Sequence, residues 1–330
     1  MAAEQDQHLA GSAIDAIQQT ASRIVEAIER VIVGKREVIE LALIGVLCEG
    51  HVLLEDVPGT GKTMLARSLA AAVGGSFNRI QFSPDLLPSD VTGALVFNPK
   101  TSEFSYRPGP IITNVLLADE INRAGPRTQS ALLEAMSERQ VSVDRELVKL
   151  PRPFFVIATQ NPVELEGTFP LPEAQLDRFL IRTTIGYPSF DDERHMLRRF
   201  RSNVPLEHVQ PVTSTDELNR LIDHVQDVHI SVAVEEYLLN LIHNTRGAAN
   251  IEVGASPRAS LALARAAQAR ATLRGRGFVT PDDVRALAIP VLAHRIIPTA
   301  QADLLGRTNE EILQDVIEST SVPTEPVDAR

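Results

Sequence analysis

At 330 residues, 44% hydrophobic and 23% charged, the chain has the make-up of a globular protein with room for two domains, which excludes a wholly disordered one. Its formal net charge of −11, from 43 acidic and 32 basic residues, repels a phosphate backbone at long range and argues against non-specific nucleic-acid binding. No apolar run approaches the roughly 20 residues of a membrane span. The start lacks a secretory pattern, and the single cysteine, Cys48, cannot form an internal disulfide, so a cytoplasmic protein without a membrane segment is predicted.

In chain order, residues 1–15 are small and polar and read as a mobile tail. From 31 to 187, apolar runs of strand length at 52–54, 77–82, 115–118, 154–159 and 180–185 alternate with helical patterns. Such alternation predicts a mainly parallel sheet covered by helices. Beyond Tyr187-Pro188-Ser189 the strand signals stop, and helical periodicity occupies 191–200, 215–224, 232–245, 257–273 and 281–294. Ser256-Pro257 and Thr280-Pro281 each read as a capping hydroxyl followed by Pro at the first helical position. The Pro- and Ser/Thr-rich residues 318–330 read as a second tail. The predicted organisation is an α/β domain over 16–188 and a smaller all-helical domain over 189–317.

The chemistry begins at H-V-L-L-E-D-V-P-G-T-G-K-T (51–63), an apolar strand, a Gly-rich loop and then a helix with Leu65, Leu69 and Ala72 on one face. That order is the strand, loop and helix of a phosphate-binding loop, in which glycines let backbone N–H groups close around phosphate oxygens at a helix N-terminus. ATP or GTP is the implied ligand. Lys62 then reaches the β- and γ-phosphates, and Thr63 places its hydroxyl on Mg²⁺. One position departs from the pattern: Asp56 stands where Gly is usual.

Downstream, V-L-L-A-D-E (115–120) is an apolar strand ending in two carboxylates. Asp119 is suited to hold Mg²⁺, directly or through water, and Glu120 to orient or deprotonate an attacking water. F-F-V-I-A-T-Q-N (154–161) is a further buried strand ending in amides, and Asn161 can hold the lytic water or sense the γ-phosphate. Arg178 follows a short helix in L-P-E-A-Q-L-D-R-F, and Arg258 lies one position inside a helix.

These residues resemble the MoxR-type AAA+ ATPases of the helix-2-insert clade, and the similarity runs from about Ile32 to at least Arg295. V-I-V-G-K (31–35) resembles the segment lining the adenine pocket, E-D-V-P-G-T-G-K-T the Walker A loop, and L-L-A-D-E-I-N-R-A the Walker B strand and its turn. Asp is also common at the family's first Walker A position. The resemblance implies an AAA+ P-loop core followed by a helical lid, with nucleotide contacts from Val33, Gly34, Val57, Pro58, Gly59, Thr60, Gly61, Lys62, Thr63, Met64 and Arg258. It makes Asn161 sensor 1, Arg178 the arginine finger and Arg258 sensor 2, with Arg123 a second candidate for contact across a subunit boundary. Hairpin patterns at 84–110, around N-P-K-T, and at 140–150 match inserts that face a central pore in the clade.

The implied function is ATP hydrolysis with Mg²⁺ in a ring, as a hexamer, driving chaperone-like remodelling of a client protein with a partner that carries a von Willebrand factor A domain. Rival readings are a nucleic-acid motor, the motor subunit of a metal-chelatase-like complex, and a nucleotide-gated scaffold. Against the first, residues 84–110 hold Asp85, Asp90 and Glu103 against Lys100 and Arg107, and the second hairpin turns through Asp144, Arg145 and Glu146. Glu120 and Arg178 speak against the scaffold.

Overall fold

A computed structural model describes residues 2–100, 102–143, 146–162, 167–199 and 209–323, with side chains from Ile14 onward. These residues divide into two compact units. One comprises 23–179 and 183–219, and the other the residues up to Ser22, 180–182 and from Arg220 on.

The chain opens with helix α1 (Ala2–Glu29), so most of the expected tail is helical. The physical reason is in the residues themselves: the stretch is rich in Ala, Glu and Gln, holds no Pro, and runs without a stop signal into the buried spacing Ile17, Ala21, Ile24 and Ile28. Helix α2 (Arg36–Leu47) is apolar nearly all round and buries nine of its residues, as a helix within the core must.

In the α/β unit, β1 (Val52–Glu55) is followed by α3 (Lys62–Ala72), β2 (Phe77–Gln81), α4 (Pro88–Thr92) and the hairpin β3 (Gly93–Asn98) and β4 (Glu103–Pro108). Then come β5 (Val115–Asp119), α5 (Pro126–Glu138), the hairpin β6 (Gln140–Val143) and β7 (Glu146–Lys149), and β8 (Phe155–Gln160). Helix α6 (Glu173–Leu176) and α7 (Phe190–Arg199) follow, and β9 (Ile181–Thr183) between them falls mostly in the segment 180–182 that groups with the other unit. Within this unit the sheet order is β2-β5-β8-β1, all parallel. Every residue of β5 is buried, and the first five of β8 are, as strands covered on both faces require. Leu116, Leu133, Met136, Val156 and Phe179 are among the side chains of the core on one side of this sheet.

The pairs β3–β4 and β6–β7 are antiparallel hairpins. In the first, Phe97 and Phe104 pair across the strands with ring centroids 5.2 Å apart. In the second, Asp144 and Arg145 of the turn lie outside the described residues.

The other unit contains α8 (Thr215–Val225) from Arg220, α9 (Val232–Gly247), β10 (Ile251–Val253), α10 (Pro257–Leu273), α11 (Pro281–Leu292), β11 (Ile297–Pro298), α12 (Ala300–Leu304) and α13 (Asn309–Ser319). From Arg220 on it is helical apart from the antiparallel pair β10–β11, three and two residues long, which is too short to leave a periodic signal. Thr280 and Asp283 form a reciprocal capping box at α11, whereas Ser256 caps α10 without a side-chain hydrogen bond. Residues 324–330 of the expected second tail lie outside the described residues.

The division after 188 is corrected too. Residues 183–219 group with the α/β unit because hydrogen bonds lace them to it: Val212 N to the Ala72 carbonyl, Arg23 to the Val212 carbonyl and Asn219 to the Arg152 carbonyl. Among the described residues no helix is long and apolar enough to cross a membrane.

Candidate nucleotide site

Strands β5, β8 and β1 are neighbours and run parallel, so their C-terminal ends open on one edge of the sheet. Ligand sites of open α/β sheets form at such an edge. Here it carries the loop after β1, Asp119 and Glu120 at the end of β5, and Asn161 just past β8.

The loop turns on Gly59 at φ 87° and Gly61 at φ 97°, the latter capping α3 in the left-handed region. A Cβ at Gly59 would meet nothing within 4 Å, and one at Gly61 only the Ile32 methyl at 3.9 Å. Backbone conformation, not crowding, therefore selects glycine at both. Lys62 donates its ammonium protons to the carbonyls of Asp56 at 2.8 Å and Val57 at 3.2 Å. Thr63 and Met64 stand half-buried in the first turn of α3. Val33 and Gly34 form a turn ahead of α2, with Gly34 at φ 72°.

Asp119 and Glu120 are fixed by a polar cluster that draws on three strands. The Thr159 hydroxyl, fully buried on β8, donates to Asp119 Oδ1 at 2.7 Å and accepts from the Glu120 amide at 2.8 Å. Arg79 on β2 donates to Asp119 Oδ2 from Nη2 at 2.6 Å and Nε at 3.1 Å. Its Nη2 also donates to Gln81 Oε1 at 2.8 Å, and Gln81 Nε2 donates to Glu120 Oε2 at 2.7 Å. Glu120 sits at φ 57°, a left-handed conformation that a non-glycine residue adopts at a cost, and this turns it away from the strand. Arg79, Gln81 and Thr159 escaped the sequence reading, which took each strand singly. The register that sets Gln81 against Asp119 is visible only in the sheet.

The donor set fits Mg²⁺ bound together with a nucleotide. Among the described residues no three His, Cys, Asp or Glu side chains cluster as a metal cage. Mg²⁺ characteristically takes one or two protein oxygens and completes its shell with water and phosphate oxygens. Thr63 and Asp119 are the groups available for it.

The remaining predicted residues lie as follows. Asn161 is buried. Arg178, just after α6, donates to the Leu133 carbonyl at 2.9 Å and Ser137 Oγ at 2.6 Å, so its contacts are with α5 of its own chain. Arg123, considered for contact with a neighbouring subunit, is paired within its own chain with Glu120 Oε2 at 3.0 Å. Arg258 is exposed in the first turn of α10, in the other unit.

A glycine-turned loop at a helix start, facing two fixed carboxylates across a parallel sheet that bears hairpin inserts, defines a P-loop nucleotide-binding protein. The family model for the ATPase family associated with various cellular activities (AAA) matches residues 51–181, and that for the AAA lid domain matches 243–316. The chain is 50% identical over 303 residues to the uncharacterized protein YeaC of Bacillus subtilis, covering 92% of this chain and 95% of that one. To Chaperone MoxR1 of Mycobacterium tuberculosis it is 41% identical over 313 residues, covering 92% and 82%. The crystal structure of a protein from Cytophaga hutchinsonii, inferred to be an ATPase, superposes with a TM-score of 0.89 at 36% identity, over 97% of this chain and 99% of that one. The chain belongs to the MoxR-type AAA+ ATPases.

Proposed function

We propose that the protein hydrolyses ATP with Mg²⁺ and does so as a ring, a hexamer, that remodels or matures protein complexes. The observation that carries the chemistry is the convergence of Lys62, Asp119 and Glu120 on one sheet edge, with Glu120 turned out of its strand at φ 57°. Phosphoryl transfer needs positioning and charge stabilisation more than covalent participation. Lys62 and the loop amides hold the phosphates, and Thr63 and Asp119 would hold Mg²⁺, which would supply charge neutralisation to the reaction. Glu120 acts on the water, Asn161 orients it, and Arg178 reaches the site of the neighbouring subunit. Val33 and Gly34 flank the base, and Arg258 senses the nucleotide from the lid. The chaperone name of the M. tuberculosis relative supports the remodelling part. The partner is a protein with a von Willebrand factor A domain, and the client is a further protein.

Phosphate release from ATP with and without Mg²⁺, with native mass spectrometry of the assembly, tests this reading. Turnover that requires Mg²⁺, falls away in Lys62→Ala and comes from a closed oligomer is expected; a monomer without turnover contradicts it. An anisotropy titration with DNA and RNA in the presence of ATP should stay flat through the micromolar range at physiological salt. Micromolar binding with a steep salt slope would support the nucleic-acid motor instead.

A further inference from the structure

Position 56 opens the phosphate loop, and the residue there is neither the usual glycine nor exposed. Asp56 is 5% exposed, and a buried carboxylate is costly unless it is hydrogen-bonded. Its partners are main-chain amides far along the sequence: Oδ2 accepts from Ile185 N at 2.5 Å and Oδ1 from Gly186 N at 3.0 Å. Both belong to the connector between β9 and α7.

The main chain of the same residue is engaged on the nucleotide side. Its amide donates to the Gln160 carbonyl at 3.2 Å, continuing the β1–β8 ladder, and its carbonyl receives the Lys62 ammonium at 2.8 Å. One residue thus holds the phosphate lysine by its backbone and the connector by its side chain. The segment before α2 grips the connector as well, for Lys35 donates to the Tyr187 carbonyl at 2.8 Å. Next to Lys35, Gly34 packs so closely on α7 that a Cβ there would collide with the Asp192 carboxylate. Within the connector Gly186 has φ 65°, the region where glycine pivots freely.

We propose that Asp56 is a positioning residue that couples the phosphate loop to the connector at 185–187. The coupling rests on the reading of this loop as an ATP site. When Lys62 turns from the Asp56 carbonyl to a phosphate, the residue loses one of its holds, and the change passes through its carboxylate to the two amides beside Gly186. Such transmission needs a contiguous bonded path between elements, and this one consists of a single residue.

Hydrogen–deuterium exchange of the full chain, with and without Mg-ATP, tests it in the parent, Asp56→Gly and Asp56→Asn, alongside steady-state kinetics. In the parent, added nucleotide should speed exchange across 183–189, because Asp56 gives up its bond from Lys62. In Asp56→Gly, which restores the usual loop residue, the Ile185 and Gly186 amides lose their acceptor and should exchange about tenfold faster without nucleotide. Their response to nucleotide should vanish, while peptides over β5 and β8 stay protected. Asp56→Asn keeps one acceptor oxygen for two donors and should fall between. KM for ATP should rise about tenfold in Asp56→Gly with kcat within about twofold, because Glu120 and Asn161 stand on other strands. If Asp56→Gly and Asp56→Asn keep the parent's exchange response and KM, the coupling is wrong although the ATP site stands. If the parent neither binds nor hydrolyses ATP, the site reading fails and the coupling with it.

Discussion

The hydroxyl of Thr159 and the carboxylate of Asp119 are hydrogen-bonded at 2.7 Å across adjacent strands, and the same hydroxyl accepts from the Glu120 amide. One fully buried atom therefore sets the orientation of one acidic residue and the backbone of the next. Thr159→Val keeps the shape and removes both bonds, leaving a buried amide and a carboxylate oxygen short of a partner. The expected result is ATP binding within about threefold of the parent and turnover lower by roughly 10- to 100-fold, with Thr159→Ser restoring most of it. Turnover in Thr159→Val equal to the parent's would show that the hydroxyl does not position the pair.

What was legible in the sequence was whatever depends on local order. The loop at 56–63, the apolar runs that became β1, β2, β5 and β8, and α10 at Pro257–Leu273 all follow from short-range patterns. What depends on register was not legible. Arg79 and Gln81 carry no signal within the run at 77–82, and their part in the site shows only when β2 is laid beside β5. Asp56 read as a departure from the general loop pattern that the family resemblance shares, and its bonds from the amides of Ile185 and Gly186, some 130 residues on, left no local signal. The boundary after 188 misled because the change in periodicity there is real, yet the chain remains hydrogen-bonded to the α/β unit as far as Asn219.

His51 makes stability depend on pH. It is buried between Val156 N, which donates to Nδ1 at 3.1 Å, and the Met136 carbonyl, which lies 3.1 Å from Nε2 and takes its proton. Burial, with the Arg139 charge, pushes its pKa down from 6.5 to about 4, against the pull of the Met136 carbonyl. The unfolded chain takes up the proton first, so the contribution of the neutral ring is present above pH 6.5 and lost as the pH falls toward 4. Between pH 7 and 4.5 the parent should lose about 2 to 3 kcal/mol more unfolding free energy than His51→Gln. Equal losses in chemical denaturation at the two pH values would contradict this.

Asp283 anchors the start of α11. It is 1% exposed, accepts from Arg276 Nη1 and Nη2 at 2.8 Å each, and caps the helix through the Thr280 amide at 2.9 Å. Burial raises its pKa, but the bonds from Arg276 and Thr280 outweigh burial and hold the carboxyl below its ordinary value. Removing one partner of a buried pair strands the other. Asp283→Ala should destabilise the helical unit by roughly 3 kcal/mol, read from its own unfolding transition. A change below about 0.5 kcal/mol would show that the pair contributes little.

Arg178 should act in trans. Arg178→Ala should bind ATP as the parent does and hydrolyse it roughly 10³ to 10⁵ times more slowly, while Lys62→Ala should bind it poorly. Mixed rings of the two contain some sites with a sound loop and a sound finger, so activity should return when the inactive proteins exchange subunits. Mixed rings seen by native mass spectrometry without returning activity would confine Arg178 to its own chain.

The central claim is tested most directly by Glu120→Gln, assayed in parallel for ATP affinity and phosphate release. The substitution keeps the size of the side chain and an oxygen for Gln81 and Arg123, and removes only the base. ATP affinity within about threefold of the parent and turnover lower by roughly 10² to 10⁴ are predicted. Hydrolysis by Glu120→Gln at the parental rate would contradict the role of Glu120 and the account of the site built around it.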